Sequence, residues 1–272
     1  MSVKLIAVDM DGTFLNDKKT YNRERFLQQY QQMKQRQIRF VVASGNQYYQ
    51  LASFFPEIVE EIAFVAENGG WVRDAGEDIY NCSMPRDHFQ QIVNFLLTRP
   101  EIEVIACGKA SAYTLKSYTP RFHEIAQNYY HRIELVDNFD NIDDTILKFA
   151  LNIPDEKVPQ MQETLDAKLG HLLTAVTTGH GSIDLIIPGV HKAHGLRLLQ
   201  DRWGIADEDV VAFGDSCNDL EMVKQAGYGV AMANAVDAVK AVAGYHAPHN
   251  NEEGVLEMID KALKGEAPFT KR

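Results

Sequence analysis

Short apolar runs recur along the chain, and four of them end in a polar cluster. Leu5-Ile6-Ala7-Val8 runs into Asp9-Met10-Asp11-Gly12-Thr13, and the run Ile38 to Ala43 into Ser44-Gly45-Asn46. Ala63-Phe64-Val65-Ala66 runs into Glu67-Asn68-Gly69-Gly70, and Val210-Val211-Ala212-Phe213 into Gly214-Asp215-Ser216-Cys217-Asn218-Asp219. Between these runs the period lengthens. Phe26, Tyr30 and Met33 stand at i, i+4 and i+7 behind Asn22, a candidate cap. Helices are predicted from Gln47 to about Phe55, before Pro56, and from about Lys192 to Trp203, burying Leu196, Leu199 and Trp203. Leu220 to Ala226 reads as another helix, Tyr228 to Ala231 as a strand, and Val255, Ile259 and Leu263 as the face of a closing helix. Continuous apolar strands alternating with helices predict βαβ units, and so an α/β fold whose parallel sheet is covered on both faces.

The rhythm changes near Met84-Pro85 and returns after Ile187-Pro188-Gly189. Between these points the strands alternate apolar and polar positions: Val104 to Cys107, Ala112 to Leu115, Leu147 to Ile153 and Ser182 to Ile186. Phe89, Ile92, Val93 and Leu96 mark one helical face there, and Val158, Met161 and Leu165 another. The expected organisation is a core of residues 1–84 and 189–272 with an inserted α+β domain of residues 85–188, joined by two linkers that form a hinge pair. The core is expected to be Rossmann-like and doubly wound. In such a sheet ligands bind at the carboxyl ends of the strands, so the four polar clusters converge there.

The 272 residues carry a formal charge of −11. An acidic chain is a poor candidate for binding nucleic acid or an anionic membrane, which needs a basic face, so an anionic substrate needs a placed Lys or a metal ion to receive it. Cys82, Cys107 and Cys217 are scattered and odd in number, which favours a reducing compartment over a disulfide framework. A strand begins almost at the first residue, and no apolar run approaches a membrane span. The expectation is a soluble, cytoplasmic protein with a small phosphorylated molecule as its partner.

Asp and Gly at a strand end are also ordinary turn composition, so Asp9-x-Asp11-Gly alone decides little. Together the clusters offer three carboxylates (Asp9, Asp11, Asp215), Ser44 at a strand end, Lys192 at a helix start and Asn218. Carboxylate oxygens suit Mg²⁺. Ser44, the neighbouring backbone N–H groups and the Lys192 ammonium suit a phosphoryl group. One Asp can act as nucleophile through an aspartyl-phosphate while the other moves a proton.

These residues, in this order, resemble the four motifs of the haloacid dehalogenase-like superfamily: Asp9-x-Asp11-Gly-Thr, Ser44-Gly45, Lys192, and Gly214-Asp215-x-x-Asn218-Asp219. The insert after Asn68-Gly69 is similar to the type IIB cap of the Cof-type branch. The segments 229–235 and 251–255 also look like that branch, nearest to its bacterial sugar phosphatases. The resemblance implies that Asp9 attacks phosphorus and Asp11 serves as general acid and base. It implies Mg²⁺ held by Asp9, the Asp11 carbonyl and Asp215, with Asp219 supporting them. Ser44, Gly45, Asn46, Lys192 and Asn218 would surround phosphate and substrate. Many relatives have Arg where Asn46 stands. Its absence removes a fixed cation from the site mouth and suits a neutral polyol or sugar.

Phosphomutase chemistry on the same scaffold remains open, as does a phospho-accepting signalling module. The latter is less apt, because receiver domains place the acidic pair and the phosphorylated Asp on different strands. Carbon–halogen hydrolysis would leave Asp11 idle. The loop Gly179-His180-Gly181-Ser182 is either the part of the lid that meets the leaving group or a plain hairpin turn. His191 and His194 fit an ordinary first helical turn, Cys217 a small spacer facing the core, and Gly265 to Arg272 a loose tail.

Overall fold

The computed structural model describes residues 3–179 and 181–270, so His180 and the last two residues of the tail lie outside the described residues. The first strands are β1 (Leu5–Val8), β2 (Arg39–Ala43) and β3 (Ala63–Ala66), followed by a hairpin of β4 (Trp71–Asp74) and β5 (Glu77–Asn81). A second group comprises β6 (Glu103–Gly108), β7 (Ala112–Leu115), β8 (Ile133–Val136), β9 (Ile146–Asn152), β10 (Thr174–Gly179) and β11 (Ser182–Ile186). The chain then returns through β12 (Val210–Gly214), β13 (Tyr228–Met232) and β14 (Tyr245–Ala247). The helices are α1 (Arg23–Gln35), α2 (Tyr48–Ser53), α3 (Arg86–Leu96), α4 (Pro120–Tyr129), α5 (Val158–Leu169), α6 (Lys192–Trp203), α7 (Leu220–Gln225), α8 (Asp237–Val242) and α9 (Gly254–Lys264).

The larger sheet has the order β14-β13-β12-β1-β2-β3-β4-β5. It is parallel from β14 to β3 and antiparallel through the β4–β5 hairpin. Residues of one apolar run alternate between its two faces. Ile6, Val8, Val42 and Phe64 pack with Phe26 and Met33 of α1 and Val255 and Ile259 of α9. Leu5, Ala7, Val41, Val65 and Ala212 pack with Ala193, Leu196 and Leu199 of α6 and Met222 of α7. Apolar side chains on both faces explain why these runs show no polar alternation. From β1 the order proceeds one way through β2 and β3 and the other way through β12 and β13. The switch point therefore falls at the carboxyl end of β1, where Asp9 follows.

The second sheet has the order β10-β11-β9-β6-β7-β8, antiparallel except for β7 with β8. Its main core joins Phe89, Ile92, Val93 and Leu96 of α3 to Phe149, Leu151, Ile183 and Leu185 of the sheet and to Met161 and Leu165 of α5. The sequence pattern missed the β4–β5 hairpin, β8, β10, β14, α4 and α8. The hairpin carries Arg73, Asp74, Glu77 and Asp78 at a sheet edge, and α4 buries only Phe122 and Ala126, so neither gives a strong apolar period. Among the described residues, no helix is long and apolar enough to cross a membrane.

The inserted unit is seated against the core. Gln47 Nε2 donates to the Arg132 carbonyl at 2.7 Å, and Arg132 N donates back to Gln47 Oε1 at 2.9 Å. The Arg132 guanidinium lies 3.5 Å from the Tyr49 ring centroid, and Tyr49 Oη donates to the Lys109 carbonyl at 3.2 Å.

Candidate active site

The loop after β1 reverses tightly. Phe14 N donates to the Asp9 carbonyl, and Leu15 N to that of Met10, at 3.1 and 2.9 Å. Met10 and Phe14 anchor it in the core below, where Phe14 meets Phe26 edge-on at 5.1 Å and Tyr21 at 4.8 Å. Gly12 has φ +75°, and a Cβ there would stand 2.6 Å from Asp215 Oδ2. Both its backbone conformation and the close approach of the β12 loop therefore require glycine. Asn234 steadies the turn by donating to the Gly12 carbonyl at 2.7 Å, and Asn250 Nδ2 donates to that of Leu15 at 3.0 Å.

Asp9 is 6% exposed. Lys192, at the first turn of α6, donates to Asp9 Oδ1 at 2.7 Å and to Asp219 Oδ1 at 2.6 Å. His191 caps that helix, its Nδ1 accepting from His194 N at 3.2 Å. The other oxygen of Asp219 accepts the backbone N–H groups of Asp215 and Ser216, at 2.9 and 3.0 Å. Asp215 accepts from Thr13 Oγ1 at 3.0 Å and Ser216 Oγ at 3.2 Å. The carboxylates of Asp9, Asp215 and Asp219 each bring an oxygen within 4.8 Å of the others.

The electrostatics follow from burial. Loss of solvent pushes the Asp9 carboxyl up, opposed by Lys192 and reinforced by Asp219 and Asp215. Loss of solvent, then the Asp219 charge, raises Asp215 to about 6. Burial disfavours charge on Lys192, but Asp219 and Asp9 more than offset this and hold its ammonium protonated. Three carboxylates around one ammonium leave two negative charges in excess. The donor set is all oxygen, which suits a hard divalent ion. Asp219 is already engaged at both oxygens, whereas Asp9 Oδ2 accepts no hydrogen bond among the described residues. Asp215 accepts only one neutral hydroxyl at each oxygen, whereas Asp219 is held by an ammonium and two backbone N–H groups, so Asp9 and Asp215 are the side chains better able to take a cation, and Asp219 positions Lys192 and the loop.

Asp11 points elsewhere. Its Oδ1 accepts from Lys19 Nζ at 2.5 Å and its Oδ2 from Asn46 Nδ2 at 2.7 Å. Ser44 is buried, and its Oγ accepts from Asn46 N at 3.1 Å. Asn218 Nδ2 donates to Asn68 Oδ1 at 3.0 Å. The structure thus brings Asp9, Lys192, Asp215 and Asp219 together in direct contact. It places Asp11 with Asn46 at the mouth, and Ser44 and Gly45 beside Asn68.

Two expectations are corrected. The mouth does not lack a cation, because the β1–α1 loop folds Lys19 onto Asp11, with its ammonium 5.8 Å from the Tyr129 ring at the end of α4. Cys217 does not face the core. It is partly exposed and lines a small crevice with His191, Asn218 and Glu221, on the turn between β12 and α7.

The pattern of the sequence placed Thr13 and Asn68 in the converging clusters without giving them a role, and missed Lys19, Lys148 and Asp184 as members of this region. Lys148 Nζ donates to Asp184 Oδ2 at 2.8 Å and stands 3.5 Å from Glu67 Oε2, all three being buried. A signal existed: Lys148 and Asp184 are lone charges inside otherwise apolar strands, Leu147-Lys148-Phe149 and Ile183-Asp184-Leu185.

Comparison with known proteins bears on the whole chain. A family profile described as haloacid dehalogenase-like hydrolase matches residues 6–259. The Escherichia coli K12 protein named 5-amino-6-(5-phospho-D-ribitylamino)uracil phosphatase is 64% identical over 269 residues, covering 99% of this chain and 99% of its own. A Bacillus subtilis 168 protein with the same activity name is 27% identical over 274 residues, covering 94% and 96%. The crystal structure of a Streptococcus mutans UA159 protein is similar with a TM-score of 0.93 at 37% identity, covering 97% of this chain and 100% of that one.

Proposed function

The chain belongs to the haloacid dehalogenase-like hydrolases, in the Cof-type branch, and is a phosphoric monoester hydrolase; we propose that it is a Mg²⁺-dependent phosphatase acting through an aspartyl-phosphate at Asp9. The observation that carries this reading is the buried cluster at the switch point, where Asp9, Asp215 and Asp219 share one lysine and keep two negative charges in excess. Asp9, Asp215 and the Asp11 carbonyl would hold Mg²⁺, which when bound neutralises the developing phosphoryl charge.

Asp9 forms a bond to phosphorus as the ester P–O bond breaks. Asp11 gives the leaving oxygen a proton, then takes one from the water that cleaves the acyl phosphate and restores Asp9. Both Asp11 oxygens accept hydrogen bonds here, from Lys19 and Asn46, so delivering a proton requires one of those donors to yield. Lys192 holds Asp9 Oδ1 and fixes the carboxylate for attack. Ser44, the Gly45 amide, Lys192 and Asn218 receive the phosphoryl oxygens. Residues 85–188 act as the lid, hinged at the two connections to a core of residues 1–84 and 189–272.

We take 5-amino-6-(5-phospho-D-ribitylamino)uracil as the preferred substrate. That name is shared by the two relatives at 64% and 27% identity. Its ribityl chain is an uncharged polyol; Asn46 at the mouth offers an amide where a cation could stand, and the Lys19 ammonium there is already paired with Asp11. A phosphate-release screen across this ester, hexose phosphates, nucleotides and acyl phosphates, with Mg²⁺ and with chelator, tests both parts. The expected result is fastest release from the ribitylamino ester and release about a thousandfold slower in chelator. Full activity in chelator would remove the metal role, and a clear preference for hexose phosphates would remove the substrate assignment.

A further inference from the structure

We propose that Asn68 is the positioning residue through which the inserted unit sets the phosphate end of the site. It lies on the turn after β3 with φ 55° and is 1% exposed. Its backbone N–H donates to the Ser44 carbonyl at 3.0 Å. Its Oδ1 accepts from Asn218 Nδ2 at 3.0 Å, and its Nδ2 donates to Asp184 Oδ2 on β11. The same Asp184 oxygen accepts from Lys148 Nζ, on β9, at 2.8 Å. A Cβ on Gly45 would lie 3.1 Å from both Asn68 Oδ1 and Asp184 Oδ2, so this junction is packed directly against the Ser44-Gly45 turn.

The chain of groups has a fixed polarity. An ammonium only donates and an ionised carboxylate only accepts. Lys148 and Asp184 therefore leave one orientation for the Asn68 amide, with nitrogen towards Asp184 and oxygen towards Asn218. That oxygen then fixes the plane of the Asn218 amide. Three of the four participants are buried, where an unmade hydrogen bond costs most and the arrangement is most firmly specified. Asp184 and Lys148 belong to strands of the second sheet, and Asn68 and Asn218 to the turns that follow β3 and β12 of the first. Lifting β11 away would remove the one carboxylate that, among the described residues, orients Asn68, and both amides would be free to turn. The phosphate cradle is thus complete only while the inserted unit is seated.

This inference rests on the reading of Ser44, Gly45 and Asn218 as phosphate ligands. The test uses the full-length, Mg²⁺-loaded enzyme and reads inhibition by inorganic phosphate, KM, kcat and Tm. Asn68→Gly removes the amide at a position whose positive φ glycine accepts. Asp184→Asn keeps an acceptor oxygen where both hydrogen bonds converge, whereas Asp184→Ala does not. Asn68→Gly and Asp184→Ala are each expected to weaken phosphate inhibition about tenfold, the loss of one hydrogen bond near a charge, and to raise KM more than they lower kcat. Asp184→Asn is expected to stay within about threefold of wild type, a difference smaller than one such bond. Both Asp184 variants remove the nearer counter-charge of Lys148 and leave it Glu67 at 3.5 Å, but only Asp184→Ala also removes the acceptor; should Asp184→Ala not fold, the pair Asn68→Gly and Asp184→Asn decides. Unchanged phosphate inhibition in Asn68→Gly would overturn the proposal, as would an Asp184→Asn enzyme as impaired as Asn68→Gly. Asp9→Asn separates the two levels. Wild-type turnover in that variant would sink the site reading itself, whereas a dead Asp9→Asn beside an unaffected Asn68→Gly would sink this inference alone.

Discussion

Two lysines are buried among the described residues, and each lies among more carboxylates than it can neutralise. Lys192 contacts Asp9 and Asp219 with Asp215 close by, and this cluster opens at the carboxyl ends of the parallel strands. Lys148 contacts Asp184 and, at longer range, Glu67, and this cluster is closed between the two sheets. Buried charge imbalance is costly in either place. The open cluster can be balanced by a cation from solvent. The closed one is balanced by a proton: burial, then Asp184, raises Glu67 to about 7 against the pull of Lys148. The same chemical problem can therefore be met by a hard cation where solvent has access, whereas the closed cluster favours a proton on Glu67.

The largest expected effect comes from depriving the open cluster of its cation. Chelation should lower phosphate release about a thousandfold, the several kcal/mol expected of a metal at a phosphoryl group. Returning Mg²⁺ should raise Tm by mass action, and Asp215→Asn should abolish that rise. A chelated enzyme with undiminished turnover would erase the distinction between the two clusters.

Replacing Lys148 by Met comes next. It leaves Asp184 buried without its cation and should cost about 3–5 kcal/mol, read from denaturant midpoints. Chelator, by contrast, should change the stability of the closed cluster little.

The smallest effect is a pH dependence. Glu67 has a folded-state pKa of about 7 against 4.5 in the unfolded chain. The native state therefore holds the proton more tightly, and the stability it contributes is complete below about pH 4.5 and lost as pH rises through about 7. The loss is at most about 3 kcal/mol. Glu67→Gln should flatten the stability curve across this window, measured with saturating Mg²⁺ so that Asp9 and Asp215, whose pKa values are also raised, do not contribute. A curve of unchanged slope would show that Glu67 stays ionised and that the closed cluster tolerates its excess charge.

The same contrast explains what could be read from the chain. Asp9, Ser44, Lys192 and Asp215 each sit at the end of a strand or the start of a helix, and the βα rhythm alone predicts where those ends meet. The α6 boundary at Lys192 follows from the apolar period of Leu196 and Leu199 and from the Pro188-Gly189 turn before it. Lys19 was not legible, because its contact with Asp11 depends on the path of the loop pinned by Phe14. Lys148 and Asp184 were not, nor was their contact with Asn68, because that meeting depends on how two separate sheets dock. Periodicity describes the buried face of one element and carries no information about the register between two units.

The central claim is that Asp9 is the group that attacks phosphorus, and the most direct measurement is phosphate release by the Asp9→Asn protein. It should be assayed on 5-amino-6-(5-phospho-D-ribitylamino)uracil in saturating Mg²⁺, with folding verified by an unchanged or raised Tm. The amide preserves shape and an acceptor oxygen for Lys192 but is a poor nucleophile, so release should fall to background. Turnover within tenfold of wild type, about 1.4 kcal/mol of barrier, would contradict the assignment of Asp9 as the attacking group.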